Sequence, residues 1–193
     1  MPYRRIQFAQ GQYYHIYNRG SGRQPIFREN DNYVFALRLV KKYTSTFNVS
    51  VMAYCLMPNH YHFLLRQDGM ESAGRVSQRV FNSYTKAFNK RYGSSGTLFE
   101  GRYKGIHVDK DIYLLHLCRY IHANPVKHGL VSRLEEWPYS NYHEWIGTRN
   151  GTLVDLAFLQ EHFPATQTYS QFVLDYLAGL DELPEGIEPY LLE

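Results

Sequence analysis

The sequence predicts an α+β fold: a ferredoxin-like antiparallel sheet with helices packed on one face, plus a C-terminal helical extension. Three observations predict it. Strand-like alternation and helix-like periodicity follow one another as strand, helix, strand, strand, helix, strand, helix, the order of a split βαβ layout. Turn-forming residues separate these stretches after Asn18, at Pro58 and Asn59, and from Gly93 to Gly96. Beyond Trp137 and Pro138 the pattern changes to short helical runs. The chain is therefore read as residues 1–145 followed by an extension over residues 146–193.

Each element has its own signal. Gln12 to Asn18 alternates as a strand. Asn30 or Asp31 caps a helix to about Tyr43, with Val34, Leu37 and Val40 or Lys41 spaced for one buried face. Val49 to Met57 is β-branched and aromatic, a turn follows at Pro58, and His60 to Arg66 returns as the second strand of a hairpin. Glu71 to Tyr92 is the clearest helix. At about 100° per residue, Val76, Val80, Tyr84, Ala87 and Phe88 share one side. Arg75, Arg79, Lys86 and Lys90 form a stripe on the other. Thr97 to Val108 reads as mostly extended. Asp109 or Asp111 caps a last long helix that is expected to stop at Pro125.

Charge is unevenly spread. Residues 1–110 carry 17 Lys and Arg against 6 Asp and Glu, while residues 111–193 carry 4 against 12. The halves are thus +11 and −8 within a net charge of +3. A basic half of this size points to a polyanion, and the 18 tyrosines suit stacking on unpaired bases. The tail from Leu180 has five acids and no bases, and two placements are open to it: over the basic groove, in competition with DNA, or packed on the core or disordered. No stretch nears the roughly 20 apolar residues that span a bilayer. Charges near the N-terminus have no apolar run behind them, unlike a secretory signal. Cys55 and Cys118 sit in apolar runs without metal-type spacing and read as buried thiols of a cytoplasmic protein.

Two constellations carry chemistry. In Met57-Pro-Asn-His60-Tyr-His62-Phe, the histidines are i and i+2 on a strand and point the same way, close enough to share one cation. In the helix Tyr113 to Lys127, Tyr120 and Asn124 are i and i+4 on one face. His116 lies one turn before Tyr120.

YCLMPNHYHFLL followed by RYIHANPVKHGLV resembles the IS200-like single-tyrosine transposases, and among them the REP-associated tyrosine transposases. The resemblance runs from about Tyr13 to Tyr142 and includes YHIYNRG, GRYKG and WPYSNY. It implies that His60 and His62 hold a divalent metal, Mg2+ or Mn2+, and that Tyr120 is the nucleophile. Asn124 stands where many relatives have a glutamine as third ligand, and its side chain is one methylene shorter. The implied substrate is single-stranded DNA beside a hairpin, cut and rejoined through a 5′-phosphotyrosine by a monomer or a homodimer associated with the nucleoid. His116 is a possible helper in deprotonating the phenol. Arg102, Lys104 and the Arg75, Arg79, Lys86, Lys90 stripe are candidate backbone contacts, and Arg19 and Arg23 candidate readers of hairpin shape or bases. Metal-binding imidazoles must be neutral, so activity is expected to fall below roughly pH 6. The alternatives are a hairpin-binding protein without catalysis and a hydrolase that uses water.

Overall fold

The computed structural model describes residues 6–191. The N-terminal charges at residues 4 and 5, and the last acid of the tail, lie outside the described residues. Strand β1 (Tyr13–Arg19) is followed by helix α1 (Asn30–Phe47), strands β2 (Val49–Met57) and β3 (His60–Gln67), and helix α2 (Gly74–Tyr92). Strand β4 (Lys104–Val108) and helix α3 (Asp111–Lys127) complete the motif. Helices α4 (Tyr142–Trp145), α5 (Leu156–His162) and α6 (Thr166–Leu177) form the C-terminal part.

The sheet has the order β2-β3-β1-β4, and every neighbouring pair is antiparallel. Each helical crossover skips one strand: α1 carries the chain from β1 over β3 to β2, and α2 from β3 over β1 to β4. The expected ferredoxin-like α+β layout is therefore present, with α1 and α2 together on one face. Their Ala36, Val40, Val76, Val80 and Tyr84 pack with Tyr14, Ile16, Tyr61, Phe63 and Leu65 of the sheet. The opposite face is filled as well. There α3, α5 and α6 bury Leu117, Cys118, Ile121, Phe158, Tyr169 and Val173 with Met52, Cys55 and Leu64. A β-bulge between Val51 and Ala53 adds one residue to β2 and turns Met52 into this second core.

Several boundaries differ from the sequence reading. Helix α1 runs a turn further, because its stop signal is Asn48 in the left-handed region (φ 50°). Helix α2 starts at Gly74 instead of Glu71. Residues 97–103 are bends and irregular backbone, not strand, apart from an isolated bridge from Phe99 to Gly20. Helix α3 does not stop at Pro125. The proline lies within its last turn, where one backbone bond is lost, and the helix still closes on His128 N–H to Asn124 C=O at 2.9 Å.

The WPYSNY segment seals the outer edge of β2. Leu56 N–H donates to Tyr139 C=O at 2.9 Å, and Trp137 Nε1 donates to Leu56 C=O at 3.2 Å. Covering an edge in this way removes a template for unwanted strand pairing. No helix among the described residues is long and apolar enough to cross a membrane.

Candidate active site

Strand register assembles the site. His60 lies opposite Arg19 on β1 and Met57 on β2, and His62 lies opposite Tyr17 and Cys55. Because side chains alternate, His15, Tyr17 and Arg19 share the face of His60 and His62, as does Lys104 of β4 opposite Tyr17. This is the face covered by α3. The His60 and His62 rings are perpendicular, with centroids 5.1 Å apart. Tyr120 descends from α3 onto them, its ring edge-on to His62 at 5.7 Å. One turn later the Asn124 side chain donates to Tyr120 C=O at 2.8 Å and lies close enough to His60 to favour its proton. The paired histidines, the phenol and the amide named from the sequence thus converge.

The site is dry. His62 is fully buried, and Tyr120 is only 6% exposed. Burial is the main force holding His60 down to about 4, with His128 and Arg19 adding positive neighbours and Asn124 opposing them. His62 lies well below the usual imidazole value, again chiefly through burial and then through His15, His60 and His128. Both rings are therefore neutral, as a metal ligand must be. His62 Nε2 is buried and has no hydrogen-bond partner among the described residues. His60 Nδ1 contacts Asn59 Oδ1 at 2.7 Å, which leaves its Nε2 as the donor atom. Among the described residues no group of three or more His, Cys, Asp or Glu is arranged for a metal. A cation here would rest on two imidazoles and the Asn124 amide oxygen, with positions left for phosphate and water. Such a sparse set is that of an open site and not of a closed structural one; its amide and water positions suit Mg2+ or Mn2+, while two imidazoles favour a transition-metal ion.

The basic residues divide. Arg19 stands at the site and is paired with Glu100 at 2.6 Å. Arg23 lies on the exposed turn whose backbone carbonyl accepts from Asn59 at 3.3 Å, beside His60 in sequence. Arg102 and Lys104 border a groove of about 1060 Å³ between α2 and β4, lined also by Gln78, Phe81 and Tyr103. Arg79, Lys86 and Lys90 are exposed on α2, across the sheet from Tyr120, so they do not join the histidine site. Arg75 differs from its stripe: it is paired with Glu71 and packed over Phe47.

His116 does not face the phenol in its described contacts. It packs edge-on against Phe172 of α6 at 5.4 Å, and its value is lowered to about 4 by burial and then by Arg119. Of the two placements open to it, the tail takes the second and packs on the core. It runs along α3 instead of over the α2 stripe, with Asp181 on the fully buried Arg119 and Glu185 C=O on the Tyr113 hydroxyl at 2.9 Å.

The sequence reading missed His15, Tyr17 and His128. His15 Nε2 lies 3.0 Å from His62 Nδ1. Tyr17 packs beside both, 5.0 Å from His15 and 5.9 Å from His62. His128, at the exposed end of α3, is 5.6 Å from His60. A signal existed for the first two: His15, Tyr17 and Arg19 recur with the period of a strand face. Only the pairing of β1 with β3 says which face.

The chain is similar to known proteins. The chain resembles a Haemophilus influenzae protein named as a REP-associated tyrosine transposase, with 31% identity over 103 residues, 48% of this chain and 58% of that protein. The match therefore spans less than two thirds of that relative's length. Its fold matches a solved structure of a REP-associated tyrosine transposase bound to a REP hairpin, with a TM-score of 0.66 and 16% identity. That match covers 80% of this chain and 98% of the other. The family model described as "Transposase IS200 like" matches residues 9–124, from the start of the sheet to the residue four beyond Tyr120. With more than half of its length matched by that model, the chain belongs to the IS200-like transposase family.

Proposed function

We propose that this protein cuts and rejoins single-stranded DNA beside a hairpin, with Tyr120 as nucleophile and with Mg2+ or Mn2+ held by His60, His62 and Asn124. The observation that carries the reading is the bare, buried His62 Nε2 set against the ring of Tyr120. Residues 1–145 form the catalytic unit in this reading. When bound, the ion would neutralise charge on the scissile phosphate and orient it. The Tyr120 oxygen attacks phosphorus, the 3′-hydroxyl departs, and a 5′-phosphotyrosine conserves the ester for attack by a second 3′-hydroxyl. His60 and His62 remain neutral ligands throughout. Arg19 places positive charge at the phosphate, and Arg102 and Lys104 line a route for the strand along the β4 edge. Two observations support the hairpin as partner: the fold neighbour is bound to a REP hairpin, and half of this chain is strongly basic. A nucleoid-associated location in the cytoplasm follows from that substrate.

The test is labelled single-stranded DNA with a flanking hairpin, incubated with Mn2+ and resolved on a denaturing gel. The wild type should yield a covalent protein–DNA adduct, and Tyr120→Phe should yield none. Free 5′-phosphate ends with no adduct would instead mean that water is the nucleophile. A second reading, hairpin binding without cleavage, is favoured by the burial of Tyr120. It predicts DNA binding with no adduct at any Mn2+ concentration.

A further inference from the structure

The buried histidine pair on β1 and β3 has a definite proton arrangement. His15 Nδ1 lies 2.6 Å from the backbone carbonyl of Tyr190. A carbonyl oxygen only accepts, so His15 Nδ1 carries the hydrogen. His15 is fully buried and touches no carboxylate among its described contacts, which disfavours the imidazolium. Its Nε2 is then a lone pair. That nitrogen sits 3.0 Å from His62 Nδ1, so the shared hydrogen belongs to His62. It follows that His62 Nε2 is unprotonated, and this is the buried atom left without a partner.

We propose that His15 is a positioning residue that locks His62 in the Nδ1–H tautomer and so keeps its Nε2 lone pair free for a divalent cation, with the Tyr190 carbonyl as the fixed end of the chain. This rests on the reading of His62 as a metal ligand. The physical logic is that of an outer-shell partner, which fixes both the tautomer and the ring orientation of a ligating histidine. Here the partner is a second imidazole and not a carboxylate, so no negative charge enters a site that must receive phosphate. The anchor comes from the C-terminal segment, far away in sequence. It is held in place independently, by Ile187 buried in the second core, Glu185 C=O on Tyr113 and Asp181 on Arg119.

The test has a readout apart from activity. Long-range ¹H–¹⁵N spectra of the metal-free full chain, labelled at histidine, should show His62 as the Nδ1–H tautomer. In His15→Phe a population with Nε2–H should appear, and Mn2+ affinity, read from the spin-resonance signal of free Mn2+, should drop by about 10- to 100-fold. His15→Gln can accept from His62 with its oxygen and donate to Tyr190 with its nitrogen, so it should recover most of the affinity. An Nε2–H tautomer for His62 in the wild type would overturn the proposal without any variant being needed. So would Mn2+ binding by His15→Phe equal to that of the wild type, or Gln as weak as Phe. His62→Ala separates the two claims: if it binds Mn2+ as tightly as the wild type, the ligand assignment fails, whatever the tautomer.

Discussion

Burial governs the chemistry of single residues at this site. An exposed histidine would gain its proton near pH 6.5, and a metal site built from such residues would weaken below about pH 6. His60 is instead lowered to about 4 and His62 is moved in the same direction. Protons should therefore compete with Mn2+ only in more acidic solution than the unperturbed value implies. Titration at pH 7, 6 and 5 should find binding nearly constant down to about pH 5. A tenfold loss already at pH 6 would show that the imidazoles are more solvated than their packing indicates. Gly20, next to Arg19, is a second point of control. A Cβ there would stand 2.1 Å from Gln24 C=O, while its N–H donates to Asn59 C=O at 2.7 Å, one residue before His60. Gly20→Ala should displace this turn and reduce Mn2+ affinity, and unchanged binding would mean that the turn shifts without moving His60.

At the scale of elements, the question is what holds α3 over the histidines. His122, on the same helix, contacts Asn141 Oδ1 at 2.8 Å and the Tyr169 hydroxyl. Asn141 also accepts from Tyr54 N–H at 2.7 Å and donates to Met52 C=O at 2.9 Å and Leu153 C=O at 3.2 Å. One amide thus ties α3, β2 and the loop before α5 together, with all its hydrogen-bonding capacity used. Asn141→Ala leaves several buried groups unpaired and should cost ~3 kcal/mol in urea unfolding at pH 7, far above the effect of a surface change. His122 adds a pH term. It is fully buried against Tyr142, Trp145 and Tyr169, and burial lowers it to about 4, with Asn141 opposing. Between about 4 and 6.5 the unfolded chain binds this proton and the folded chain does not. Its stabilising contribution is complete above pH 6.5 and is lost as pH falls towards 4, by ~3 kcal/mol. His122→Gln should flatten the fall in denaturation midpoint between pH 7 and 4.5, and an unaltered slope would place that dependence on other groups.

For the whole molecule, charge divides along the chain, +11 over residues 1–110 and −8 over residues 111–193. The basic half supplies Arg102 and Lys104 at the groove and Arg79, Lys86 and Lys90 on α2, on the far side of the sheet from Tyr120. If groove residues contact phosphates, removing each should lower the slope of log affinity against log salt by ~1. Arg102→Ala and Lys104→Ala, tested on hairpin DNA between about 50 and 200 mM salt, should show this, and a parallel plot would exclude the contact. The acidic half is not a loose screen. Asp181 serves the buried Arg119, whose guanidinium also stacks on Phe172 at 4.3 Å. Deleting residues 180–193 should therefore destabilise the fold by exposing that cation and the pocket of Ile187, instead of simply tightening DNA binding.

Much of this was legible in one dimension. Period-2 and period-3.6 patterns located the strands and long helices, because backbone geometry imposes those periods locally. The i, i+2 histidines and the i, i+4 tyrosine and asparagine announced two faces for the same reason. Which faces meet is not a local property. Strand order and register set His15 beside His62, the covering of the second face turned His116 towards α6 instead of the phenol, and the C-terminal backbone supplied a carbonyl more than 170 residues away from its partner histidine in sequence. Local periodicity says what each segment can present. Only the packing of the assembled layers, where burial fixes both contacts and protonation, decides what it is presented to.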